Sequence, residues 1–155
     1  VFTTNQEALV RSIIGPDWDE KTMFRKAVER NLADAESNPN DLYAWFNLGA
    51  GYFTLGQHRQ AKQAFETSQK LGWPHRMLWY QYQPIQNYNA LGEYEQALTL
   101  IRQGLTNNEA YAELRYEAAV AYKGLGQVEQ ARQEALKTLQ YDPGFSKAQE
   151  LLSSL

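Results

Sequence analysis

A motif that recurs about every 34 residues constrains the fold of this chain more than any other feature of its sequence. The stretch from Leu42 to Phe65 reads as two amphipathic helices joined by a tight turn at Leu55-Gly56. The same frame returns around Leu91-Gly92 and Leu125-Gly126. Gly56 and Gly92 are 36 residues apart, and Gly92 and Gly126 are 34 residues apart. A period in this range predicts a solenoid of stacked helix pairs rather than a single globular core.

The recurring residues closely resemble the tetratricopeptide repeat, whose signature is Trp-x2-Leu-Gly-x2-Tyr, then Ala-x3-Phe, then Pro. In the central repeat the matching residues are Trp45, Leu48, Gly49, Tyr52, Gly56, Ala61 and Phe65. The second repeat keeps Tyr88, Leu91, Gly92 and Ala97, with Gln81, Pro84 and Ile85 at the signature Trp, Leu and Gly; the third keeps Tyr122, Gly126, Ala131 and Pro143, with Arg115, Ala118 and Ala119 in its first helix. Because that family is an interaction scaffold, the resemblance implies binding rather than catalysis.

We therefore expect an all-α fold, a right-handed helical solenoid of antiparallel helix pairs with a capping helix at each end. Residues 1–16 form a lead-in, with one or two helical turns around Glu7–Ile14 that end at Gly15-Pro16. Asp17 is predicted to cap a helix over Trp18–Ser37, with Glu20 as its capping-box partner. The solenoid is divided into a degenerate N-terminal helix at 17–40, repeats at 41–73, 74–107 and 108–143, and a C-terminal capping helix at 144–155.

Helices inside the repeats are predicted at about 41–55, 58–71, 94–105, 109–124 and 128–141, followed by a last helix at 145–152. Gly49 is expected to face Ala61, so that two small residues let paired helices approach closely. Pro84 removes the hydrogen bond to Tyr80, so this first helix should be kinked near Tyr80–Pro84 or begin later than the pattern indicates. Whether that interruption serves a function stays open.

Composition excludes several classes of protein. The chain has 155 residues, a net charge of −3 and 43% hydrophobic residues, so it can bury a core but lacks the basic stripe of a nucleic-acid binder. It has no cysteine, which excludes disulfides, thiolate catalysis and cysteine-based zinc sites. No apolar run is long enough to span a membrane, and residues 1–15 lack the regions of a signal peptide. Since the sequence does not begin with Met, we expect a fragment or a processed chain; its compartment stays open.

No catalytic or metal-binding pattern is present. His58 and His75 are the only histidines and lie far apart in helical register. The spacings typical of zinc hydrolases, phosphate-binding loops and dinucleotide-binding loops do not occur. We therefore expect no enzymatic activity, no cofactor and no metal ion.

The resemblance also implies where a ligand lies, because the first helix of each repeat lines the concave surface in this family. By register, the implied peptide groove consists of Tyr43, Phe46, Asn47 and Phe53, then Trp79, Tyr82, Gln83, Gln86 and Asn89, then Glu113, Tyr116 and Glu117. Aromatic anchors combined with amides suit an extended peptide. The alternative for Phe46 and Tyr116 is packing against neighbouring helices.

One subclass of the family clamps a C-terminal carboxylate with Lys and Asn. The equivalent positions here hold Phe46, Ala50, Gln83, Glu113 and Glu117, so two basic positions have become acidic. The groove is therefore expected to prefer a neutral or basic segment over an acidic one. The alternative for Glu113 and Glu117 is that both are solvated surface acids.

A narrower resemblance concerns three stretches, NQEALVRSIIGPD, WFNLG and LGWPHRMLWYQYQP. Together they are similar to the C-terminal repeat module of bacterial proteins that carry a papain-like cysteine-peptidase domain of the double-glycine-leader type. This implies that residues 1–15 are a linker and that the chain positions substrate for an attached enzyme. Two more roles stay open beside that of a peptide-binding scaffold: a homo-oligomerisation module that buries Trp73 and Trp79 between copies, and a terminal segment that folds into the groove and blocks it.

Overall fold

The computed structural model describes residues 8–9, 11–13, 15, 19–74, 76–106 and 110–155. Its helices, in chain order, are α1 (Glu20–Ser37), α2 (Leu42–Thr54), α3 (His58–Lys70), α4 (Met77–Tyr80), α5 (Gln83–Leu91), α6 (Tyr94–Leu105), α7 (Ala112–Gly124), α8 (Val128–Tyr141) and α9 (Ser146–Ser153). No strand occurs within the described ranges, so the predicted all-α fold is confirmed. Over the same ranges, no helix is both long and apolar enough to cross a membrane.

The turns within the helix pairs share one backbone conformation. Gly56, Gly92 and Gly126 follow α2, α5 and α7 and have φ values of 72°, 75° and 72°. This left-handed conformation is one that glycine adopts without the steric penalty of a Cβ. The equivalence of these three glycines confirms the period inferred from the sequence.

Apart from the short α4, which packs against α6, the helices pack mainly against their neighbours along the chain, from α1 against α2 through to α8 against α9. The buried apolar residues form several local clusters instead of one centre. One surrounds Ile85 and Leu114, and another surrounds Phe46 and Phe65. Such nearest-neighbour packing is characteristic of a repeat solenoid.

The N-terminal helix begins later than predicted. Asp19 is its cap: Oδ2 of Asp19 accepts hydrogen bonds from the Thr22 backbone nitrogen at 2.9 Å and from Thr22 Oγ1 at 2.6 Å. Asp17 and Trp18, the predicted cap and first residue, lie outside the described residues. The described part of the predicted lead-in helix, residues 8–9 and 11–13, is helical, whereas its expected bounds Glu7 and Ile14 also lie outside the description.

Pro84 divides the first helix of the second repeat. Helix α4 ends at Tyr80, and α5 begins at Gln83 with Pro84 in its first turn, where a missing N–H breaks no helical bond. The interruption predicted between Tyr80 and Pro84 is confirmed, and it takes the form of a new helix start. The remaining helix bounds agree with the predictions to within one residue, except that α7 begins at Ala112 instead of 109, which lies outside the described residues.

The close approach expected at Gly49 has a different partner. A Cβ built on Gly49 would lie 2.6 Å from Cδ1 of the Phe65 ring, whereas Ala61 is not among its nearest neighbours. The absence of a side chain at position 49 therefore makes room for an aromatic ring of α3.

Candidate functional site

The first helices α2, α5 and α7 lie side by side, because α5 packs against both α2 and α7. Between α5, α7 and the start of α9 lies a small cavity of about 40 Å³, called here the α5–α7 cleft. Its lining consists of Tyr82, Gln86, Glu113, Tyr116, Glu117, Phe145 and Lys147. Five of these seven residues belong to the groove expected from the sequence.

Glu117 is the buried charge of this cleft, with 6% of its surface exposed. Its Oε1 accepts a hydrogen bond from Gln86 Nε2 at 3.0 Å, and its Oε2 accepts one from Asn89 Nδ2 at 2.8 Å. Burial raises the pKa of Glu117, while the two amide hydrogen bonds and the nearby charge of Lys147 oppose that rise. The alternative that Glu117 is a solvated surface acid is therefore wrong.

Aromatic side chains form the walls of the cleft. The rings of Tyr116 and Phe145 pack with their centroids 5.1 Å apart, and Tyr82 also lines the cleft. Burial raises the pKa of Tyr82, and the negative charges of Glu113 and Glu117 raise it further. Burial likewise raises the pKa of Tyr116. Both hydroxyls therefore stay protonated at neutral pH and can donate hydrogen bonds.

Phe145 and Lys147 were not predicted as site residues, since the sequence after Tyr141 indicates a cap. The 34-residue repeat period could have indicated both residues. Phe145 lies 34 residues after Tyr111, and Lys147 lies 34 residues after Glu113. The start of α9 therefore repeats the start of α7 and contributes to the same surface.

The residues expected from α2 do not join the cleft. Tyr43 is 52% exposed and Asn47 is also exposed, whereas Phe53 is half-buried and packs edge-on against the His58 ring. Phe46 is only 3% exposed, and its ring packs against Phe65 and Trp73 with centroids 5.1 and 6.0 Å away. Phe46 is thus a core residue, which corrects its expected place in the groove.

Trp79 and Gln83 are also placed outside the cleft lining. The indole Nε1 of Trp79 donates a hydrogen bond to the Gly104 carbonyl oxygen at 2.6 Å, and its ring packs against Tyr111 with centroids 5.2 Å apart. Among the described residues, the buried side-chain polar atoms left without a hydrogen bond are the amide oxygens of Gln83 and Asn89. Both lie on α5, beside the cleft.

His58, the histidine within the described residues, has a structural role. Nδ1 of His58 lies 2.9 Å from Oδ1 of Asn87, and Asn87 Nδ2 donates a hydrogen bond to the His58 carbonyl oxygen at 3.0 Å. With Asn87 only 1% exposed, the pair joins α3 to α5. His75 lies outside the described residues. Within the described ranges, no group of His, Asp and Glu side chains could hold a metal ion.

Larger clefts occur along the second helices. One of about 490 Å³ is lined by Gln69, Tyr88, Glu95, Gln96, Thr99, Leu100 and Gln103. A second, of about 330 Å³, is lined by Trp73, Pro74, Leu78, Gln103 and Thr106. They share Gln103, and the second lies at the link that holds the two extra residues between the first two repeats. Nothing in the repeat signature indicated them.

Comparison with known proteins identifies the repeat and its fold. Two family models described as tetratricopeptide repeat match residues 88–155 and residues 42–71, together well over half of the chain. No curated protein matches the sequence. Among solved structures, MamA residues 41-end from Desulfovibrio magneticus RS-1 is similar at 22% identity and a TM-score of 0.70, covering 88% of this chain and 84% of that one. A second crystal structure of MamA gives 18% identity and a TM-score of 0.75 over 99% of this chain and 83% of that one.

The crystal structure of YrrB, described as a TPR protein with an unusual peptide-binding site, is also similar. It gives 19% identity and a TM-score of 0.71, covering 97% of this chain and 72% of that chain. At these identities the neighbours show a shared fold. The repeat architecture inferred from the sequence is thereby confirmed.

Proposed function

We propose that this chain, which belongs to the tetratricopeptide repeat family, is a non-catalytic scaffold that binds a protein or peptide segment on its concave side. The observation that carries the proposal is the α5–α7 cleft. There, aromatic rings, amides and carboxylates from α5, α7 and α9 converge on one small volume. Flat anchors beside hydrogen-bonding amides are what an extended polypeptide requires.

Two further features support a peptide ligand. Tyr43 and Asn47 are exposed on α2, which packs beside α5, and can extend the contact surface beyond the cleft. YrrB, which has this fold, is described as having an unusual peptide-binding site. Its low identity means that the fold supports the proposal and its site residues are not carried over.

The acidic residues that line the cleft indicate which charge the proposed ligand should carry. Glu113 is exposed at the cleft and Glu117 is buried within it, so an acidic segment would be repelled. We infer that a neutral or basic segment is preferred. No nucleic acid is proposed as a partner, because the chain has a net charge of −3.

A pull-down from the source cell, with the chain as bait and mass spectrometry as readout, tests this function. A partner captured by the wild type should be lost with Glu113→Lys, which inverts an exposed charge at the cleft without removing packing. Glu36→Lys on α1 is the matched control and should retain the partner. Retention by Glu113→Lys, or recovery of the bait alone, would contradict binding in this groove.

The second proposal is an accessory domain that positions substrate for an attached cysteine-peptidase-like domain. It rests on the sequence likeness of the stretches around Trp45 and Trp79. Coding sequence for a paired Cys and His upstream of residue 1 would favour it.

For self-assembly, the structure offers less support. The Trp73 indole donates a hydrogen bond to Ser68 Oγ at 2.8 Å, and the Trp79 indole donates one to the Gly104 carbonyl oxygen, so both rings are engaged within the chain. A mass that rises with concentration in light scattering would favour self-assembly.

A further inference from the structure

We propose that the α5–α7 cleft is a subsite for the ammonium group of one lysine of the bound segment, and that Lys147 is a built-in cation that competes for it. This inference rests on the proposed function and goes further, because it assigns one side-chain type to one position of the ligand. Four features of the described residues carry it: a buried charge without an ion pair, aromatic walls, a small volume, and the position of Lys147.

The first feature is the missing counter-charge of Glu117. Both of its carboxylate oxygens accept hydrogen bonds from neutral amides, Gln86 and Asn89, as an ionised carboxylate can. In the described part of the chain, no Lys, Arg or His forms an ion pair with it, whereas Glu134, which is somewhat less buried, is paired with both Arg115 and Lys137. A buried charge is normally paired, since an isolated one carries a large desolvation cost. A ligand cation would offset that cost.

The second feature is the wall around this carboxylate. Tyr82, Tyr116 and Phe145 line the cleft, and Tyr116 and Phe145 pack against each other. Aromatic faces attract cations through the ring quadrupole, most strongly where water is excluded. Glu113, exposed at the same cleft, adds a second negative charge that attracts a cation from solution. Carboxylate and rings together therefore select for positive charge.

The third feature is size. The cleft holds about 40 Å³, which exceeds the roughly 10–15 Å³ that a cavity needs to take one water molecule but leaves little room for a bulkier group. An ammonium group is about the size of a water molecule, whereas the planar guanidinium of arginine is larger and presents five N–H donors in a rigid fork. The volume therefore favours lysine over arginine.

The fourth feature is Lys147, an exposed residue that also lines the cleft. Its charge already opposes the rise in the pKa of Glu117 without forming an ion pair. A lysine of a ligand would compete with Lys147 for the same carboxylate and be repelled by it. Removing the charge of Lys147 should therefore strengthen binding.

The probe is a phage-displayed library of random 12-residue peptides, selected separately on the 155-residue wild type and on Glu117→Gln. Peptides selected on the wild type should carry lysine at one fixed position, and that preference should be absent from peptides selected on Glu117→Gln. For one selected peptide, replacing this lysine by norleucine should weaken binding by about tenfold or more on the wild type and much less on Glu117→Gln. Replacement by arginine should also weaken it.

Two variants complete the test. Lys147→Gln should bind the lysine peptide more tightly than the wild type does, a result that needs no change to Glu117 and so holds even if Glu117→Gln folds poorly. Glu95→Gln, which removes a carboxylate from the cleft of about 490 Å³ along the second helices, is the matched control and should change the affinity by less than about twofold. Circular dichroism confirms that each variant is folded.

The outcomes separate the two proposals. Peptides that bind without a fixed lysine, and equally well to wild type and Glu117→Gln, would overturn the lysine subsite and leave peptide binding intact. A fixed arginine in place of lysine would overturn the assignment of the ammonium group. Failure to select any peptide would overturn both.

Discussion

Asn89 and Glu117 are joined by two hydrogen bonds between the first helices of the second and third repeats. Nδ2 of Asn89 donates one hydrogen bond to Oε2 of Glu117 at 2.8 Å and another to the Glu117 carbonyl oxygen at 3.0 Å. This one amide therefore makes two of the hydrogen bonds between α5 of the second repeat and α7 of the third, and Gln86 makes another. The same contact holds the buried carboxylate in place beside the cleft, so that stability and the proposed binding site depend on the same two residues.

Substitution of Asn89 should lower the stability of the folded chain. Asn89→Ala removes both donors and leaves the buried Glu117 carboxylate with the Gln86 amide alone, which should lower the free energy of unfolding at pH 7 by about 1–3 kcal/mol. Urea denaturation measures the change. Asn47→Ala, an exposed asparagine on α2, is the control and should shift it by less than about 0.5 kcal/mol. Equal effects of the two substitutions would show that the Asn89 contacts do not contribute.

The free energy of unfolding should depend on pH in part through the titration of Glu117. Because burial raises its pKa in the folded state, the folded chain binds this proton more tightly than the unfolded chain does. Stability contributed by Glu117 is therefore greatest at acid pH and is lost as pH rises from about 4.3, the usual glutamate value, through the raised pKa. Denaturation across this range should show the wild type losing stability relative to Glu117→Gln as pH rises.

Any loss of hydrogen bonding in Glu117→Gln is independent of pH in this comparison, so the difference in slope between the two curves is the readout. Parallel curves would mean that the pKa of Glu117 is the same in the folded and unfolded chains.

The ion pair between Arg115 and Glu134 should be the costliest one to break. Arg115 Nη1 lies 2.9 Å from Glu134 Oε2, with the side chains only 10% and 13% exposed. Arg115→Met should leave the largely buried Glu134 carboxylate with Lys137 as its remaining charged partner and cost up to about 3 kcal/mol of unfolding free energy, part of which the double variant with Glu134→Leu should recover. Arg132→Met is the matched control: its pair with Glu129 is exposed and 4.0 Å long, so less than about 1 kcal/mol is expected. Thermal melts that cannot distinguish Arg115→Met from Arg132→Met would contradict this.

Gly49 should resist substitution because of the Phe65 ring. In Gly49→Ala the added Cβ would lie within 3 Å of that ring, at an overpacking cost of about 1–3 kcal/mol that outweighs the gain of about 1 kcal/mol in helix propensity. Gly144→Ala meets only Asp142 Oδ1 at 3.4 Å, so it should change stability by about 0.5 kcal/mol or less. Denaturant midpoints of the two variants give the comparison. If Gly49→Ala proved as stable as Gly144→Ala, the α2–α3 contact would have to be looser than the distances to the Phe65 ring indicate.

Features that depend on neighbouring residues in the chain were predictable. The tight turns require a left-handed backbone that glycine adopts without a steric penalty, and the spacing of Gly56, Gly92 and Gly126 gives the repeat. Pro84 interrupts a helix for a local steric reason as well. Whether the chain would bend there or start a new helix was not local, because α4 is held by the bond of Trp79 to Gly104 on α6.

The concave surface was only partly predictable, and the reason is geometric. Helical register places Tyr43, Phe46 and Asn47 on one face of α2, yet the structure leaves Tyr43 exposed and buries Phe46 against Phe65 and Trp73. Register gives the angle of a side chain about its own helix. Burial depends on how closely the next helix approaches, which is set by contacts distant in sequence.

The sequence by itself determined that this chain is a helical solenoid and where its turns lie, because both follow from periodicity and local backbone chemistry. Only the tertiary structure decided that Glu117 is buried without an ion pair among the described residues, and that Phe145 and Lys147 join Tyr82 and Tyr116 in one cleft. Those relationships arise where three helices meet, and the distances between helices are fixed by the packing of the whole stack.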